Sequence, residues 1–362
     1  MNPYTEPFES FMEQVLKPAG EAPIYHCMLR IRDGRKAIAY EGAAGVLDET
    51  GMGITPDYRF RTGSITKPFT AAIVLQLAEE GLFQLHDRLL DLLDDTVCTK
   101  LSRLHIWEGV DYSGRISIQH LLQHSSGLRD YFADDERFLS FVMQHPGQQW
   151  DWMLILEKYF SFGLNEKARF IPGNGFYYAD TNYLLLGMLI EHLTGITLAQ
   201  HYQERILEPL GLSGTYLEFF QTPKGPAEMV YPWYGNVSLK NTNTSFDWGG
   251  GGLVSTMQDL EIFIRALTEG RLFKRADTWT KMAQFDLADP AQTSAKRSMH
   301  YGLGLQKKGF AGYSFIGHSS AYASMLYFDP ERDLSIVLTL NQAGAMHKAE
   351  WLLHKIGGIL ER

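Results

Sequence analysis

The stretch "RFRTGSITKPFTAAIVLQLAEEGL", from Arg59 to Leu82, places a serine and a lysine three residues apart at the head of a long apolar run. Side chains three residues apart on a helix lie on one face, so Ser64 and Lys67 are predicted to point the same way. Serine is a poor residue inside a helix, and lysine is rarely buried without a partner. A lysine at a helix N-terminus also opposes the helix dipole, and Pro68 already favours a helix start. The pair therefore indicates a role other than helix stability.

Two interpretations of this pair are open. In the first, Ser64 caps the helix that follows and Lys67 is an exposed charge in its first turn. In the second, Ser64 is a nucleophile, whose weak hydroxyl reacts when a neighbour such as Lys67 takes its proton. The backbone N–H groups of a helix N-terminus would then face the oxyanion that forms. Ser64 is the only serine in the chain with a lysine three positions later, which favours the second interpretation.

Composition limits the classes of protein to consider. The 362 residues are 45% hydrophobic and 21% charged, enough for a large core in one large domain or two smaller ones. The formal charge is -9 and no long basic run occurs, so nucleic acid is not an expected partner. The two cysteines, Cys27 and Cys98, fit neither a disulfide framework nor a four-cysteine zinc site and are predicted to be small buried hydrophobes.

The sequence predicts neither a membrane span nor a secretory signal. No apolar run reaches the length of a membrane span, about 18 residues. The first residues lack the features of a secretory signal. We expect a cytoplasmic protein if Met1 is the natural start, and an exported one if a leader was removed.

Hydrophobic periodicity predicts an α+β fold. The N-terminal segment has apolar residues at helical spacing, and two β-rich runs around Asp33 and Gly34 predict a hairpin. Helical spacing recurs in segments 64–93, 116–122, 150–160 and 181–207. Short β-rich runs occupy segments 301–305, 313–320, 323–330 and 334–342, before a final helix. We therefore expect one mostly antiparallel sheet flanked by terminal helices (about 1–62 and 250–362), with an inserted all-helical subdomain (about 63–249).

The Ser-Lys pair resembles the S-x-x-K motif of the serine β-lactamase and penicillin-binding protein superfamily. Other stretches are similar to its class C-like branch, which includes DD-carboxypeptidases, D-aminopeptidases and esterases. In chain order the resembling segments are "FRTGSITKPFTA", "ISIQHLLQHSSGLRDY", "PGNGFYYADTNYLLLGMLIEHLTG", "GGGGLVSTMQDLEIF" and "GHSSAYASMLYFDPE". The resemblance implies a single β-lactamase-like catalytic domain over residues 1–362.

The third of these segments carries the tyrosine motif. The resemblance implies that Tyr178 shares a proton network with Ser64 and Lys67, with Tyr177 as the competing candidate and a plain core tyrosine as the alternative role. The family usually has asparagine two positions after the tyrosine, whereas this chain has Asp180. An ionised carboxylate there favours the ammonium form of the lysine and shifts the base role toward the phenol. Alternatively, Asp180 only caps the next helix.

The final segment contains the third motif, K-T-G in β-lactamases, which here is His318-Ser319-Ser320. Lysine gives a permanent cation for a substrate carboxylate, whereas histidine is mostly neutral at pH 7. We expect His318 to line the acyl pocket, and Ser320 to narrow the cleft or donate a hydrogen bond. By the same resemblance, the N–H of Ala321 joins that of Ser64 in an oxyanion hole, with Asp180, His318 and Ser320 as substrate-binding residues.

Rival chemistries have weaker support. His120 and His124 have the helical spacing of a metal pair, but no glutamate follows His120 and no third ligand is evident. No serine lies in G-x-S-x-G, and the Gly-rich run "WGGGGLVST" lacks the G-K-S/T ending of a phosphate loop. We therefore expect no metal and no cofactor.

These observations predict a serine hydrolase that forms an acyl-enzyme on Ser64. Its substrates are expected to be small molecules or short peptides: small esters, amides or D-amino acid peptides. The resemblance covers esterase, D-aminopeptidase and DD-carboxypeptidase types, and the departures at Asp180 and Ser320 argue against efficient action on β-lactams. The alternative function is a binding or sensor protein on the same fold with little turnover.

Overall fold

A computed structural model of the chain describes residues 3–225, 228–288, 298–310 and 312–361. Its α-helices are α1 (Thr5–Val15), α2 (Lys67–Glu79), α3 (Asp95–Lys100), α4 (Ile118–Leu122), α5 (Glu136–Gln144), α6 (Trp152–Ser161), α7 (Asp180–Thr194), α8 (Leu198–Tyr202), α9 (Glu208–Leu210), α10 (Trp248–Gly251), α11 (Met257–Thr268), α12 (Ala276–Met282) and α13 (Met346–Leu360). Short 3-10 turns occupy Gly63–Thr66, Leu89–Leu92, Ser113–Arg115, Leu164–Lys167 and Leu239–Asn241, and a π-helical turn occupies Gln203–Leu207.

The strands in the described ranges fall into one large sheet and three small ones. They are β1 (His26–Asp33), β2 (Ile38–Gly45), β3 (Arg59–Arg61), β4 (Ile106–Trp107), β5 (Val110–Asp111), β6 (Tyr216–Leu217), β7 (Met229–Val230), β8 (Trp233–Tyr234), β9 (Val237–Ser238), β10 (Leu253–Ser255), β11 (Leu287–Ala288), β12 (Ser298–Tyr301), β13 (Gln306–Phe310), β14 (Tyr313–Ser319), β15 (Ser324–Asp329) and β16 (Leu334–Leu340). The large sheet has the order β11-β12-β13-β14-β15-β16-β1-β2, and its neighbouring strands are antiparallel.

The two ends of the chain meet in this sheet. Strand β1 pairs with β2 across the predicted hairpin, and its other edge pairs with β16, where Cys27 lies opposite Leu340. This pairing confirms the predicted α+β architecture, with a mostly antiparallel sheet formed from both ends of the sequence.

Each face of the large sheet covers its own core, because side chains alternate along a strand. Cys27, Leu29 and Ile31 pack on one face with residues of α1 and α13, whereas Met28 belongs to the core shared with the helical block. The terminal helices therefore cover one face, as predicted. Cys27 is the expected small buried hydrophobe, but Cys98 is partly exposed, with its thiol 3.2 Å from the carbonyl of Leu90.

Helices α2 and α7 form the centre of the helical block and are buried along most of their length. Both are shorter than the periodicity predicts. The chain leaves the helix at Gly81 and at Gly195, whose φ values of +83° and +68° are ones that glycine adopts without strain. Gly304, with φ +80°, lies in the connection between β12 and β13, so most of segment 301–305 is not the strand that was predicted.

In the part of the chain that the structure describes, no single helix is long and apolar enough to cross a membrane. The pair Asp180–Thr194 and Leu198–Leu210 meets the length and composition criteria together, but is bent by 87°.

Candidate active site

Ser64 lies in the 3-10 turn Gly63–Thr66, immediately before α2 begins at Lys67. It was predicted on the first turn of the α-helix and is found in the tighter turn that precedes it. Gly63 has φ +53°, and a Cβ there would lie 2.1 Å from the hydroxyl oxygen of Ser320, so glycine lets β14 and this turn approach closely. The sequence thus brings the serine beside the strand that carries the third motif.

Lys67 is buried, and its ammonium nitrogen has three acceptors. The Nζ atom lies 3.1 Å from Ser64 Oγ, 2.5 Å from Asp180 Oδ1 and 2.8 Å from the carbonyl oxygen of Gly250. An ammonium group has three N–H donors, so each donor has one acceptor. The interpretation of Lys67 as an exposed first-turn charge is therefore wrong, because the side chain is buried and held against Ser64.

Two tyrosine rings contact the same ammonium group. Lys67 Nζ lies 4.9 Å from the ring centroid of Tyr178 and 5.4 Å from that of Tyr183, within the range of a cation–π interaction. Tyr177, the competing candidate, instead hydrogen-bonds Asp134 and Arg169. The structure thus places Tyr178 beside the Ser-Lys pair.

The hydroxyl of Tyr178 is buried and makes no hydrogen bond of normal geometry within the described residues. Burial, followed by the charge of Asp180, raises the pKa of this phenol well above its usual 10.0, although the Ser64 side chain acts in the opposite direction. The resting phenol is therefore neutral and keeps its hydroxyl hydrogen.

Asp180 is the first residue of α7 and follows the N-cap residue Ala179, whose side chain makes no capping hydrogen bond. The alternative of a helix cap is therefore wrong, because the carboxylate binds Lys67 instead. The backbone N–H of Asp180 donates to Asp130 Oδ2 at 3.1 Å. Burial and then the charge of Asp180 raise the pKa of Asp130 to about 7. Asp247, whose carboxylate accepts from the Tyr322 hydroxyl at 2.8 Å, has its pKa raised to about 7 chiefly by desolvation.

The third motif is split between the interior and the cavity beside Ser64. His318 is buried and is not among the residues lining that cavity, whereas Ser320 and Ala321 are. Burial and then the charge of Lys67 lower the pKa of His318 to about 3, so its ring is neutral. The N–H of Ala321 has no acceptor among the described residues, as an oxyanion donor requires.

The cavity has a volume of about 170 Å³ and is mostly apolar. Its apolar wall comes from α5, the hairpin β8–β9 and the adjoining loops: Phe132, Leu139, Val142, Met143, Tyr234, Leu239 and Phe246. Two carboxylates, Asp180 and Asp247, also line it, and none of its described lining residues is a lysine or arginine. A larger groove of about 850 Å³ elsewhere on the surface does not include Ser64.

The two histidines considered for metal binding have separate roles. His120 forms a reciprocal capping box with Ser117 at the start of α4, and His124 bonds inward to Tyr301. Within the described ranges, no group of three or more His, Cys, Asp or Glu side chains could hold a metal ion.

A comparison with protein families agrees with this geometry. The Beta-lactamase family model matches residues 29–357. The chain belongs to the Beta-lactamase family. Penicillin-binding protein 4* of Bacillus subtilis (strain 168) is 27% identical in an alignment of 303 residues that covers 76% of this chain and 59% of that protein. D-aminopeptidase of Gluconobacter oxydans (strain 621H) is 25% identical in an alignment of 339 residues that covers 88% of this chain and 56% of that protein.

The Beta-lactamase family fold is also present in a solved structure. The D-stereospecific amidohydrolase from Streptomyces sp. superposes with a TM-score of 0.77 at 24% identity, covering 94% of this chain and 97% of that one. By contrast, the chain spans less than two thirds of the length of the curated relatives named above.

Several polar residues of this Beta-lactamase family site were missed by sequence reasoning. Asp130 lies in "GLRDY", Asp247 precedes the Gly-rich run, and Tyr301 belongs to β12. His124 was considered only as a metal ligand. The one available signal was the position of Asp130 and Asp247 inside the segments that resemble the family, or directly beside them.

Proposed function

We propose that the protein is a serine hydrolase that forms an acyl-enzyme on Ser64 with small amides or esters. The observation that carries this proposal is the position of Ser64 Oγ, 3.1 Å from the buried Lys67 ammonium and at the wall of an apolar cavity. The same cavity contains the free N–H of Ala321, which would serve as an oxyanion donor with that of Ser64.

In the proposed reaction, Ser64 Oγ attacks the substrate carbonyl carbon and loses its proton, and the C–N or C–O bond to the leaving group then breaks. The leaving group takes a proton as it departs, and water later hydrolyses the acyl-enzyme. An ammonium at Lys67 must first release one proton to solvent, so that the lysine amine can accept the proton of Ser64 and pass it to the leaving group. The Tyr178 phenol, which keeps its own proton in the resting site, lies beside this pair.

The lining of the cavity supports a substrate class. Its apolar wall would hold an aliphatic or aromatic group, and the Asp180 carboxylate, joined by Asp247 above its pKa of about 7, disfavours an anionic substrate. Neutral esters and amine-bearing amides are therefore the proposed substrates, ahead of carboxylate-bearing β-lactams or D-Ala-D-Ala peptides. The similarity to a D-aminopeptidase and a D-stereospecific amidohydrolase supports amides of D-amino acids within this class.

One observation favours the alternative of a binding protein with little turnover. The Asp180 carboxylate stabilises the charged form of Lys67, and a charged lysine cannot accept the proton of Ser64. A p-nitrophenyl ester assay with intact-mass detection distinguishes the two functions. Turnover or a covalent adduct in the native protein, absent in Ser64→Ala, supports the hydrolase; neither signal on any activated ester supports the binder.

A substrate panel then tests the proposed class. Short-chain esters, D- and L-amino acid amides, D-Ala-D-Ala peptides and a chromogenic cephalosporin are compared by kcat/KM. The proposal requires higher values for the neutral esters and amine-bearing amides, and a preference for the cephalosporin would contradict it. The variant Asp180→Asn should narrow the difference, because it removes a carboxylate from the cavity wall and adds an amide donor there.

A further inference from the structure

His124 binds the backbone of the residues before and after Tyr178. Its backbone carbonyl accepts the N–H of Tyr177 at 2.9 Å, and its ring Nδ1 accepts the N–H of Ala179 at 3.2 Å. The imidazole also packs against the Tyr178 ring, with centroids 4.2 Å apart and planes tilted by 30°. The backbone of His124 has φ +59°, an uncommon conformation for a residue with a side chain. One buried histidine therefore contacts Tyr178 and both of its neighbours.

The protonation of this histidine follows from its partners. A backbone N–H can only donate, so Nδ1 of His124 is the acceptor atom and Nε2 carries the hydrogen. This Nε2–H faces Tyr301 Oη at 3.2 Å. Tyr301 Oη lies 2.9 Å from His318 Nε2, and His318 Nδ1 lies 2.7 Å from the carbonyl oxygen of Ser319, which can only accept. The hydroxyl of Tyr301 thus accepts from His124 and donates to His318, which agrees with the tautomers of both rings.

This chain of hydrogen bonds joins the two halves of the active site. Asn182 in α7 supports one end, because its Nδ2 lies 2.9 Å from His124 Nδ1 and its Oδ1 accepts from Ser126. At the other end, His318 lies on β14, directly before Ser319 and Ser320. The connection therefore runs from the segment of Tyr178 to the strand that leads to the oxyanion donor.

We propose that His124 is a positioning residue for the reaction. As a neutral ring, it holds Tyr178 against Lys67. Through Tyr301, it also fixes the position of β14 relative to that tyrosine. This role rests on the proposed serine hydrolase function. Burial and then the charge of Lys67 lower the pKa of His124 well below its usual value, which agrees with a neutral ring.

The first test uses the native protein and needs no folded variant. Long-range proton–nitrogen NMR spectra of histidine-labelled protein distinguish the two neutral imidazole tautomers from the charged ring. The proposal requires the Nε2–H tautomer for His124 and the Nδ1–H tautomer for His318 near neutral pH. A charged ring at either position, or the opposite tautomer, would overturn it.

The second test separates positioning from general stability. His124→Ala is expected to lower kcat for a neutral p-nitrophenyl ester by about a hundredfold with little change in KM, because small displacements of reacting groups have effects of this size. His124→Asn keeps an acceptor near the place of Nδ1 and tolerates a positive φ, so it should recover part of the loss. Tyr301→Phe removes only the linking hydroxyl and should give a smaller decrease in kcat.

The matched control is His105→Asn. His105 is another buried histidine, bonded to the carbonyl of Phe170 and away from Tyr178 and Lys67, so this variant should lose stability but keep its kcat. If the His124 variants keep the native kcat, or lose it only in proportion to stability as His105→Asn does, the positioning role is refuted while the hydrolase function stands. A native protein that gives neither turnover nor adduct would instead refute the hydrolase function, and the positioning role with it.

Discussion

Replacing Asp180 by asparagine is expected to move the acidic limb of the kcat/KM profile to lower pH by about one to two units. Of the three acceptors around Lys67, only Asp180 Oδ1, at 2.5 Å, carries a charge. A hydrogen bond to a charged group contributes about 1.5–3 kcal/mol, and one pH unit corresponds to about 1.4 kcal/mol. Without the carboxylate the neutral amine, which must receive the Ser64 proton, becomes populated at lower pH.

The assay is kcat/KM for a neutral p-nitrophenyl ester from about pH 5 to about pH 9, a range that includes the acidic limb of a typical general-base profile. The control is Asp277→Asn. It removes another Asp–Lys ion pair, at the surface, in which Asp277 Oδ2 lies 2.9 Å from Lys281 Nζ. This variant should leave the pH profile unchanged. An acidic limb that does not move would refute the reasoning. A shift to higher pH would also refute it, because the carboxylate itself would then be the proton acceptor.

Three further outcomes are expected. Ser64→Ala should leave the fold intact and retain less than about a hundredth of the native kcat on esters, and a larger residual rate would exclude Ser64 as the nucleophile. Lys67→Ala and Tyr178→Phe should each be severely impaired, with the double variant little worse than either; additive losses would show that the two groups act independently. Asp247 keeps a proton in the folded state up to about pH 7, whereas the unfolded chain releases it near its usual value of 3.8, so native stability should fall as pH rises through this window. Urea unfolding should therefore show the free energy of unfolding of Asp247→Asn rising relative to the native protein between about pH 5 and about pH 8, and a constant difference would contradict the raised pKa.

Local sequence patterns were sufficient to predict the helices and strands whose apolar residues recur at a clear helical or strand spacing. The α1 helix, the β1–β2 hairpin and strands β14, β15 and β16 follow from the spacing of apolar residues. The run predicted at 301–305 lies mostly in the connection between β12 and β13, and β13 was not predicted. The predicted helices were too long where a single glycine redirects the backbone, as at Gly81 and Gly195. Periodicity reports which face is buried, and it says little about where one φ angle changes sign.

The active site shows the same contrast between local patterns, which can be predicted, and contacts between elements, which cannot. Ser64 and Lys67 were predictable because they are three residues apart on one turn. The Lys67–Asp180 ion pair joins residues 113 positions apart, and its distance depends on how α2 and α7 pack. The neutral state of His318 was expected from the usual histidine pKa, but its burial and its bond to Tyr301 depend on how β12 and β14 lie on either side of β13. No spacing in the sequence reports these contacts.

The pairing of β1 with β16 affects the order in which the protein acquires its parts during folding. Cys27 and Leu340 are 313 positions apart and can meet only after the residues between them have been synthesised, whereas the contacts within α2 or α7 are local. Contacts between distant segments form slowly, because closing a long loop costs entropy before the contact is made. Ser64 and Lys67 belong to the helical block, and Ala321 follows a strand of the late-forming sheet. Helical content should therefore return before catalytic competence when the denatured protein refolds.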